Sequence, residues 1–271
     1  MNASEDTKSP EESESQQVPR INVLGVGISA IDMEDAIRLS DSLIRTNGRA
    51  YVCVTGVHGV MEAQSDQALR SILNRSFMTT PDGMPLVWIG RLQGRSRMRR
   101  VYGPDYMVDM CRFSVVRGYR HFLYGGSEGV AERLSAELTR RVPGLQIVGT
   151  YTPPFRPLSS TEGAELAALV AQAKPDVFWV GLSTPKQEQF MAHYLDTLDV
   201  KLMVGVGAAF DIHTGGIKDA PPWLKSAGLQ WLHRLAQEPR RLWRRYLINN
   251  PKFIWSIGLQ LLGLREFKID F

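Results

Sequence analysis

Short apolar runs recur along the chain, and each of them leads into a loop rich in glycine and polar residues. The runs cover residues 21–26, 50–55, 121–124, 177–180 and 202–206. Helical patterns follow several of them, opening near Asp32, from about Val60 and over residues 130–141. Strands that alternate with helices build a parallel sheet with both faces covered. The pattern therefore predicts an α/β fold with a mostly parallel sheet covered by helices.

The loops that follow the predicted strands are the candidate binding site, because ligands of open parallel sheets bind beyond the carboxyl ends of the strands. The candidate residues in these loops are His58, Gly125, Gly126, Lys186, Gln187, Glu188, Gly207 and Asp211. Each also has a structural interpretation, since histidine can hydrogen-bond its own loop and a polar cluster can open a helix. The dinucleotide fingerprint is incomplete, because Leu123 and Tyr124 precede the glycine pair.

Asp82 stands in a turn between Pro81 and Gly83. A carboxylate in such a turn can project into a cleft, although a turn residue needs no chemistry. As a catalytic residue it would be a general base for an attacking hydroxyl. The chain has no Asp-x-Asp after a strand to hold a metal on a nucleotide diphosphate, and Asp105 and Asp109 are spaced as one helix face. Arginines would then have to neutralise a leaving diphosphate.

The two ends of the chain differ from its middle in composition. Residues 1–19 contain five acids against one lysine and almost no apolar side chains, which predicts a disordered acidic tail. Residues 20–220 contain the strand pattern and predict the α/β core. Residues 221–271 combine arginines with apolar positions and predict a basic, amphipathic helical appendage close to a membrane.

The formal net charge of +4 is unevenly distributed. Residues 234–252 carry six Arg or Lys against one acid, Glu238. Such a segment fits a nucleic acid, a lipid head group or a substrate diphosphate, or it is simply a solvated helix face. The apolar stretch 253–264 spans twelve residues, whereas a bilayer crossing takes about 20. We therefore expect this stretch to lie on a membrane or to pack on a partner.

Cys53 and Cys111 lie in apolar contexts without metal-ligand spacing. Buried thiols of this kind favour a reducing cytoplasm. The sequence shows no positively charged segment followed by an apolar one, which would indicate a secretory signal. The predicted location is therefore the cytoplasm.

Together these motifs resemble the WecG/TagA/CpsF family of bacterial glycosyltransferases over about residues 21–250. The blocks that carry the resemblance include the Thr55 loop and the segments 81–84, 102–105, 123–129, 181–188, 205–211 and 229–241. The resemblance implies a Rossmann-like core with a C-terminal appendage that closes over the site. It also implies an inverting transferase, without metal or cofactor, that moves a sugar from a UDP-sugar to a polyprenyl-diphosphate-linked saccharide. The resemblance places this enzyme in the cytoplasm, peripheral on the inner face of the cell membrane.

The resemblance also assigns roles to residues of this chain. Asp82 matches the proposed catalytic base, and Thr55 matches a threonine near the acceptor. Gln187 and Glu188 match a polar pair at the nucleotide side, and the block around Gly103 and Asp105 belongs to the same site. The arginines that match appendage residues at the leaving diphosphate are Arg234, Arg241 and Arg244.

One departure from the family pattern concerns the donor sugar. Many members have Thr-x-Asn where this chain has Thr55, Gly56 and Val57, followed by His58. The His-Gly variant resembles the glucosyltransferase branch of exopolysaccharide assembly, so a hexose donor is predicted. Transfer of N-acetylmannosamine or its uronic acid is the alternative within the family.

Other classes of protein explain less of the sequence. A nucleic-acid-binding α/β protein would account for the basic segment but not for the loops at the strand ends. A nicotinamide-dependent oxidoreductase would need an acidic residue after a complete glycine fingerprint, which the chain lacks. The predicted partners are therefore a UDP-sugar, a lipid-linked saccharide and an anionic membrane surface, without nucleic acid. A homo-oligomer is left open.

Overall fold

The structure is a computed structural model that describes residues 18–270. The predicted acidic tail, residues 1–19, lies outside the described residues except for Val18 and Pro19. The described strands are β1 (Arg20–Val23), β2 (Val26–Ser29), β3 (Ala50–Thr55), β4 (Met78–Pro81), β5 (Arg120–Gly125), β6 (Gln146–Tyr151), β7 (Val177–Gly181) and β8 (Leu202–Gly205). The helices that follow them in the first part of the chain are α1 (Met33–Arg45), α2 (Val57–Glu62), α3 (Gln67–Arg75), α4 (Met84–Leu92) and α5 (Gly103–Arg117).

The remaining helices are α6 (Val130–Arg141), α7 (Ser160–Ala173), α8 (Lys186–Tyr194), α9 (Ala209–His213), α10 (Pro222–Ser226), α11 (Gln230–Gln237) and α12 (Pro239–Leu261). Within residues 18–270, six strands form one parallel sheet in the order β4-β3-β8-β7-β5-β6. Helices flank this sheet. The predicted α/β class with a Rossmann-like parallel sheet is therefore confirmed.

The sheet is buried on both faces because its strands alternate large side chains between two cores. In β5 and β7, Phe122 and Phe178 point to one core, where their rings stack 5.1 Å apart. Leu123 and Trp179 point to the other core, where Trp179 meets the edge of the Tyr106 ring. This period-two alternation is what a strand between two helical layers requires.

The ends of the central strands lie level with one another. Cys53 of β3 pairs with Gly205 of β8, and Gly205 pairs with Val180 of β7. Gly125 of β5 pairs with Gly181 of β7. The loops after these strands therefore meet at one edge of the sheet, as the sequence predicts.

The prediction of one continuous strand over residues 21–26 is wrong, because the structure has two short strands there. Leu24 and Gly25 both have positive φ angles, of 53° and 81°, and reverse the chain between β1 and β2. The Asn22 side chain accepts a hydrogen bond from the Gly25 N–H at 2.8 Å and closes the turn. Two left-handed residues in succession give the tight turn of a hairpin. The result is an antiparallel pair outside the large sheet.

Residues 221–270, which we call the C-terminal segment, contain α10, α11 and α12. One face of α12 packs on the core, where Phe253 and Ile257 are buried. Farther along, Gln260 hydrogen-bonds Leu24 N and Asn22 O at 2.7 and 2.8 Å. The expectation that the stretch 253–264 lies on a membrane or packs on a partner is thus corrected for Phe253 and Ile257, which belong to the core, whereas six of its twelve residues are exposed. Among the described helices, none is both long and apolar enough to span a bilayer.

Candidate active site

A cleft of about 1440 Å³ lies between the strand ends and the C-terminal segment. It brings together most of the side chains and glycines that the sequence predicts for the site. The predicted residues that line it are His58, Asp82, Gly103, Gly126, Lys186, Gln187, Gly207, Asp211, Arg234 and Arg241. These residues come from the segments that follow five strands of the sheet, from the start of α5 and from two C-terminal helices. The fold therefore joins distant segments of the sequence in one concave site.

The other predicted residues occupy different places. Thr55 and Glu188 are buried beside the cleft, and Gly125 lies within β5. At Gly125, φ is 129° and an added Cβ would lie 2.6 Å from the Gly181 carbonyl oxygen, so this glycine serves backbone packing. Asp105 is exposed on α5. Arg244 is exposed on α12 and lies outside the cleft lining.

Asp82 lies at the end of β4, where the chain leaves the sheet. Its backbone N–H donates to the Thr55 carbonyl at 2.9 Å, which fixes the turn against β3. One carboxylate oxygen accepts from the Gly103 N–H at 3.3 Å and lies 3.8 Å from the Arg100 guanidinium. Loss of hydration raises the pKa of this carboxyl, and Arg100 and the Gly103 N–H oppose that rise. These contacts fix the Asp82 carboxylate in place, and its pKa lies above the usual range.

Arg100 joins Asp82 to the C-terminal segment, a contact that the sequence analysis missed. Its Nε donates to the Asp82 carbonyl oxygen and its Nη2 to Gln230 of α11. Its guanidinium lies 4.1 Å from the centroid of the Tyr102 ring. The Tyr102 hydroxyl donates to Asp219 at 2.9 Å and accepts from Gln230 at 2.7 Å. The position of α11 and the orientation of Asp82 therefore depend on one network of contacts.

We expect Arg100→Gln to lower the rate of the sugar transfer that the resemblance implies by about 10- to 100-fold at neutral pH. The reason is that Arg100 holds Asp82, the predicted base, and small displacements of a catalytic group cost this much. The variant also removes the charge that opposes the raised pKa of Asp82. A base acts when deprotonated, so activity falls as pH falls through that pKa, and the acid limb of the pH–rate profile should move to higher pH. The adjacent Arg99→Gln, which alters an exposed arginine, is the control. An unshifted acid limb would show that Arg100 has no influence on Asp82.

The floor of the cleft contains buried polar atoms without partners. Glu188 Oε1 accepts from Thr184 Oγ1 at 3.0 Å and from Gln187 Nε2 at 2.9 Å. Burial raises the pKa of Glu188, with the two hydrogen bonds opposing that rise. Among residues 18–270, Glu188 Oε2, Gln187 Oε1 and Thr55 Oγ1 have no hydrogen-bond partner. Unsatisfied buried polar atoms are costly, and of these three residues Gln187 lines the cleft while Thr55 and Glu188 lie behind it. Gln187 is therefore the residue of this group that is placed to meet a ligand.

His58 lies in the wall of the cleft on α2. Burial lowers its pKa to about 3, with Arg245 as the second cause, so the imidazole is neutral at physiological pH. Its Nδ1 is 3.5 Å from the Glu62 carboxylate, but a neutral ring forms no ion pair there. His58 can therefore hydrogen-bond a ligand but cannot supply a positive charge to one.

Three arginines of the C-terminal segment face the cleft around a single acid. Arg234 and Arg241 bind the same oxygen of Glu238, at 3.0 and 2.7 Å. Arg245 lines the cleft beside them, and burial lowers its pKa. Within the described chain, Arg234 Nη1 and Arg245 Nε have no hydrogen-bond partner. Three guanidinium groups against one carboxylate leave about two positive charges, which suit a diphosphate.

The sequence prediction selected Arg244 where the structure has Arg245. The Arg244 guanidinium lies 5.2 Å from the Trp243 ring and outside the cleft. Neighbouring residues of a helix point about 100° apart, so a difference of one position decides which of them faces the site. The pattern of charges in the sequence does not show which of two neighbouring arginines faces the site. The signal that could have found Arg245 is the helix position of Leu242, Phe253 and Ile257, whose burial sets the inner face of α12.

Among residues 18–270, no group of three or more His, Cys, Asp or Glu side chains is placed to hold a metal ion. Asp105 and Asp109 both lie on α5, where Asp109 pairs with Arg112 at 3.1 Å. The cations that line the cleft include Lys186 and Lys225 as well as the arginines of the C-terminal segment.

Comparison with known proteins gives one family. The model of the "Glycosyl transferase WecG/TagA/CpsF family" matches residues 21–266. A relative from Bacillus spizizenii (strain ATCC 23059 / NRRL B-14472 / W23) is 26% identical over 219 residues, covering 81% of this chain and 82% of the relative. One from Bacillus subtilis (strain 168) is 28% identical over 195 residues, covering 72% and 73%. Both carry the name N-acetylglucosaminyldiphosphoundecaprenol N-acetyl-beta-D-mannosaminyltransferase.

Proposed function

This chain belongs to the glycosyl transferase WecG/TagA/CpsF family, and we propose that it transfers one sugar, with inversion, from a UDP-sugar to a polyprenyl-diphosphate-linked saccharide. The observation that carries the proposal is the placement of Asp82 in one cleft with Arg234, Arg241 and Arg245. A base for the acceptor hydroxyl and a neutralising group for the leaving diphosphate are the two parts that such a transfer needs.

In the proposed reaction, Asp82 takes the proton of an acceptor hydroxyl while that oxygen attacks C1 of the donor sugar. The bond between C1 and the phosphate oxygen breaks, and UDP leaves with the electron pair. The arginines of the C-terminal segment receive the negative charge that develops on the diphosphate. The buried polar floor around Gln187 and Glu188 meets the nucleotide side of the donor, as the family resemblance assigns.

Two donor sugars are candidates. The names of the relatives favour N-acetylmannosamine, with a saccharide on undecaprenyl diphosphate as the acceptor. Val57 favours the second candidate, a hexose, because its apolar side chain lines the cleft where many members have asparagine. An isopropyl group offers no hydrogen bond to an N-acetyl group. On present support, N-acetylmannosamine is the first candidate and a hexose the second.

The test of the proposal offers a panel of UDP-sugars with an N-acetylglucosaminyl prenyl diphosphate acceptor. We expect one donor to release UDP and to add the mass of one sugar to the lipid. Addition from UDP-N-acetylmannosamine alone supports the first donor, and addition from UDP-glucose alone supports the second. If no donor releases UDP while the protein binds DNA in a strongly salt-dependent way, the proposed function is wrong and the nucleic-acid class is favoured.

We also expect transfer to persist in excess EDTA. The reason is that arginine side chains occupy the place at the leaving diphosphate that a divalent cation fills in many nucleotide-sugar enzymes. The measurement compares initial rates with EDTA alone and with EDTA followed by excess Mg²⁺ or Mn²⁺. Loss of turnover on chelation and its recovery on addition of either metal would contradict the arginine role.

The outer face of α12 suits a membrane surface. Apolar side chains repeat along it on one side of the helix, and these exposed residues are Trp243, Leu247, Ile254, Trp255 and Leu261. Basic residues of the same helix lie around this face, and cations beside exposed aromatic and aliphatic groups attract anionic lipid. We therefore propose that the enzyme binds the membrane that carries its acceptor through this face, which we call the outer face of α12.

Substituting Leu247 and Trp255 together by Glu should release the protein from anionic liposomes. The two side chains are 55% and 71% exposed, and burying such a side chain in an apolar medium contributes about 1.5–3 kcal/mol. The measurement is sedimentation with vesicles, and activity on a short-chain acceptor in solution should be retained. Val116→Glu makes the same change at an exposed site on α5 and should leave binding intact. Equal sedimentation of all variants would refute the assignment.

A further inference from the structure

A second, smaller hollow of about 520 Å³ opens beside the cleft, between α2 and α12. It shares His58, Ser183, Arg241 and Arg245 with the lining of the cleft. The hollow adds Arg244 and Ile248, which the cleft lacks. Because four residues line both spaces, a ligand that spans them would lie partly in the hollow and partly in the cleft.

The charge of the hollow is positive. Among the described residues, no carboxylate oxygen lies within 4 Å of the Arg244 or Arg245 guanidinium, whereas Arg241 is paired with Glu238. Glu62 is the acid of the hollow, and it lies beside the neutral His58. Two guanidinium groups without an acid partner in one concavity fit an anion with several oxygens.

One rim of the hollow is apolar and continues into the outer face of α12. Ile248, which lines the hollow, is 40% exposed, and Leu247 is the next residue on the helix. A ligand with an anionic head and a hydrocarbon chain would therefore place its head among the arginines and its chain along an exposed apolar surface. The saccharide beyond the head would enter the cleft past His58 and Ser183.

We propose that the hollow binds the diphosphate of the lipid-linked acceptor, with Arg244 as its principal ligand. The inference rests on the proposed function, and it adds a second diphosphate site to that of the donor. Arg245 lines both spaces, whereas Arg244 lines the hollow and not the cleft, because consecutive residues of a helix point about 100° apart. Arg245 thus lies between the diphosphate that leaves and the diphosphate that is retained.

The experiment titrates geranyl diphosphate, by calorimetry, into the full chain saturated with UDP. We expect binding to persist under saturating UDP, because the two ligands occupy different sites. Arg244→Gln should weaken geranyl diphosphate by about 10- to 100-fold, the size of a charge-assisted contact, and leave the Kd of UDP unchanged. Arg240→Gln, which alters an exposed arginine of the same helix outside both spaces, should change neither. Titrations with geraniol, which lacks the diphosphate, and with inorganic pyrophosphate, which lacks the hydrocarbon chain, show which part of geranyl diphosphate binds.

Each outcome decides the inference. A parallel loss of pyrophosphate and geranyl diphosphate binding in Arg244→Gln supports it. It is overturned if UDP excludes geranyl diphosphate, if the variant weakens UDP as strongly, or if the variant binds geranyl diphosphate and pyrophosphate as tightly as the wild type does. If these binding results hold but the wild type transfers no sugar from any donor, the proposed function fails and the diphosphate site remains.

Discussion

Asp82→Asn should reduce sugar transfer by about 10²- to 10⁴-fold, the usual cost of losing a general base. The amide has nearly the shape of the carboxyl and can still accept from the Gly103 N–H, which now meets the carboxylate at 3.3 Å. It cannot take the proton of the acceptor hydroxyl. Donor binding should survive, because the polar floor and the arginines are separate from this side chain.

The measurement combines the turnover rate with the Kd of UDP for the wild type and the variant. Asp109→Asn is the matched control, since it neutralises a half-buried carboxylate of α5 that does not line the cleft. A variant that retains more than about a tenth of normal turnover would exclude Asp82 as the base.

Arg245→Gln should lower kcat by about 10²- to 10³-fold, as the loss of one preorganised group at a developing negative charge does. UDP should also bind more weakly, because the same side chain meets the product diphosphate. Burial lowers the pKa of Arg245, which indicates a charge kept in place at the expense of hydration. Its removal should therefore leave the thermal midpoint unchanged or raise it.

The combination of lost activity and undiminished stability distinguishes Arg245 from a structural residue. Turnover and thermal unfolding are measured on the same preparations, with Arg240→Gln as the control for an exposed arginine of α12. If Arg245→Gln lowered the thermal midpoint and left kcat intact, the side chain would serve packing and another group would have to neutralise the leaving diphosphate.

The parts of the fold that could be predicted from sequence are those with a local signal. The strands β5 and β7 are apolar runs that end in glycine, and α6 opens close to its predicted start at residue 130. Strands of this kind end at one edge of a parallel sheet whatever their order. The convergence of their loops could therefore be predicted without knowing which strands are neighbours.

The rest depended on tertiary contacts. The turn of the β1–β2 hairpin consists of Leu24 and Gly25, which lie within an otherwise continuous apolar run and give no clear turn signal in the sequence. The contact of Arg100 with Asp82 joins residues 18 positions apart, and its contact with Gln230 forms only when α11 packs against this part of the fold. The orientations of Arg244 and Arg245 follow from how α12 packs on the core, which no charge pattern specifies.

The most direct measurement is the anomeric configuration of the sugar that the enzyme adds, determined by NMR on product made from an α-linked UDP-sugar. A single displacement, with Asp82 taking the proton of the acceptor hydroxyl, gives a β-linked product. An α-linked product would mean that the configuration is retained through two displacements, and it would contradict the role of Asp82 as the base in a direct transfer.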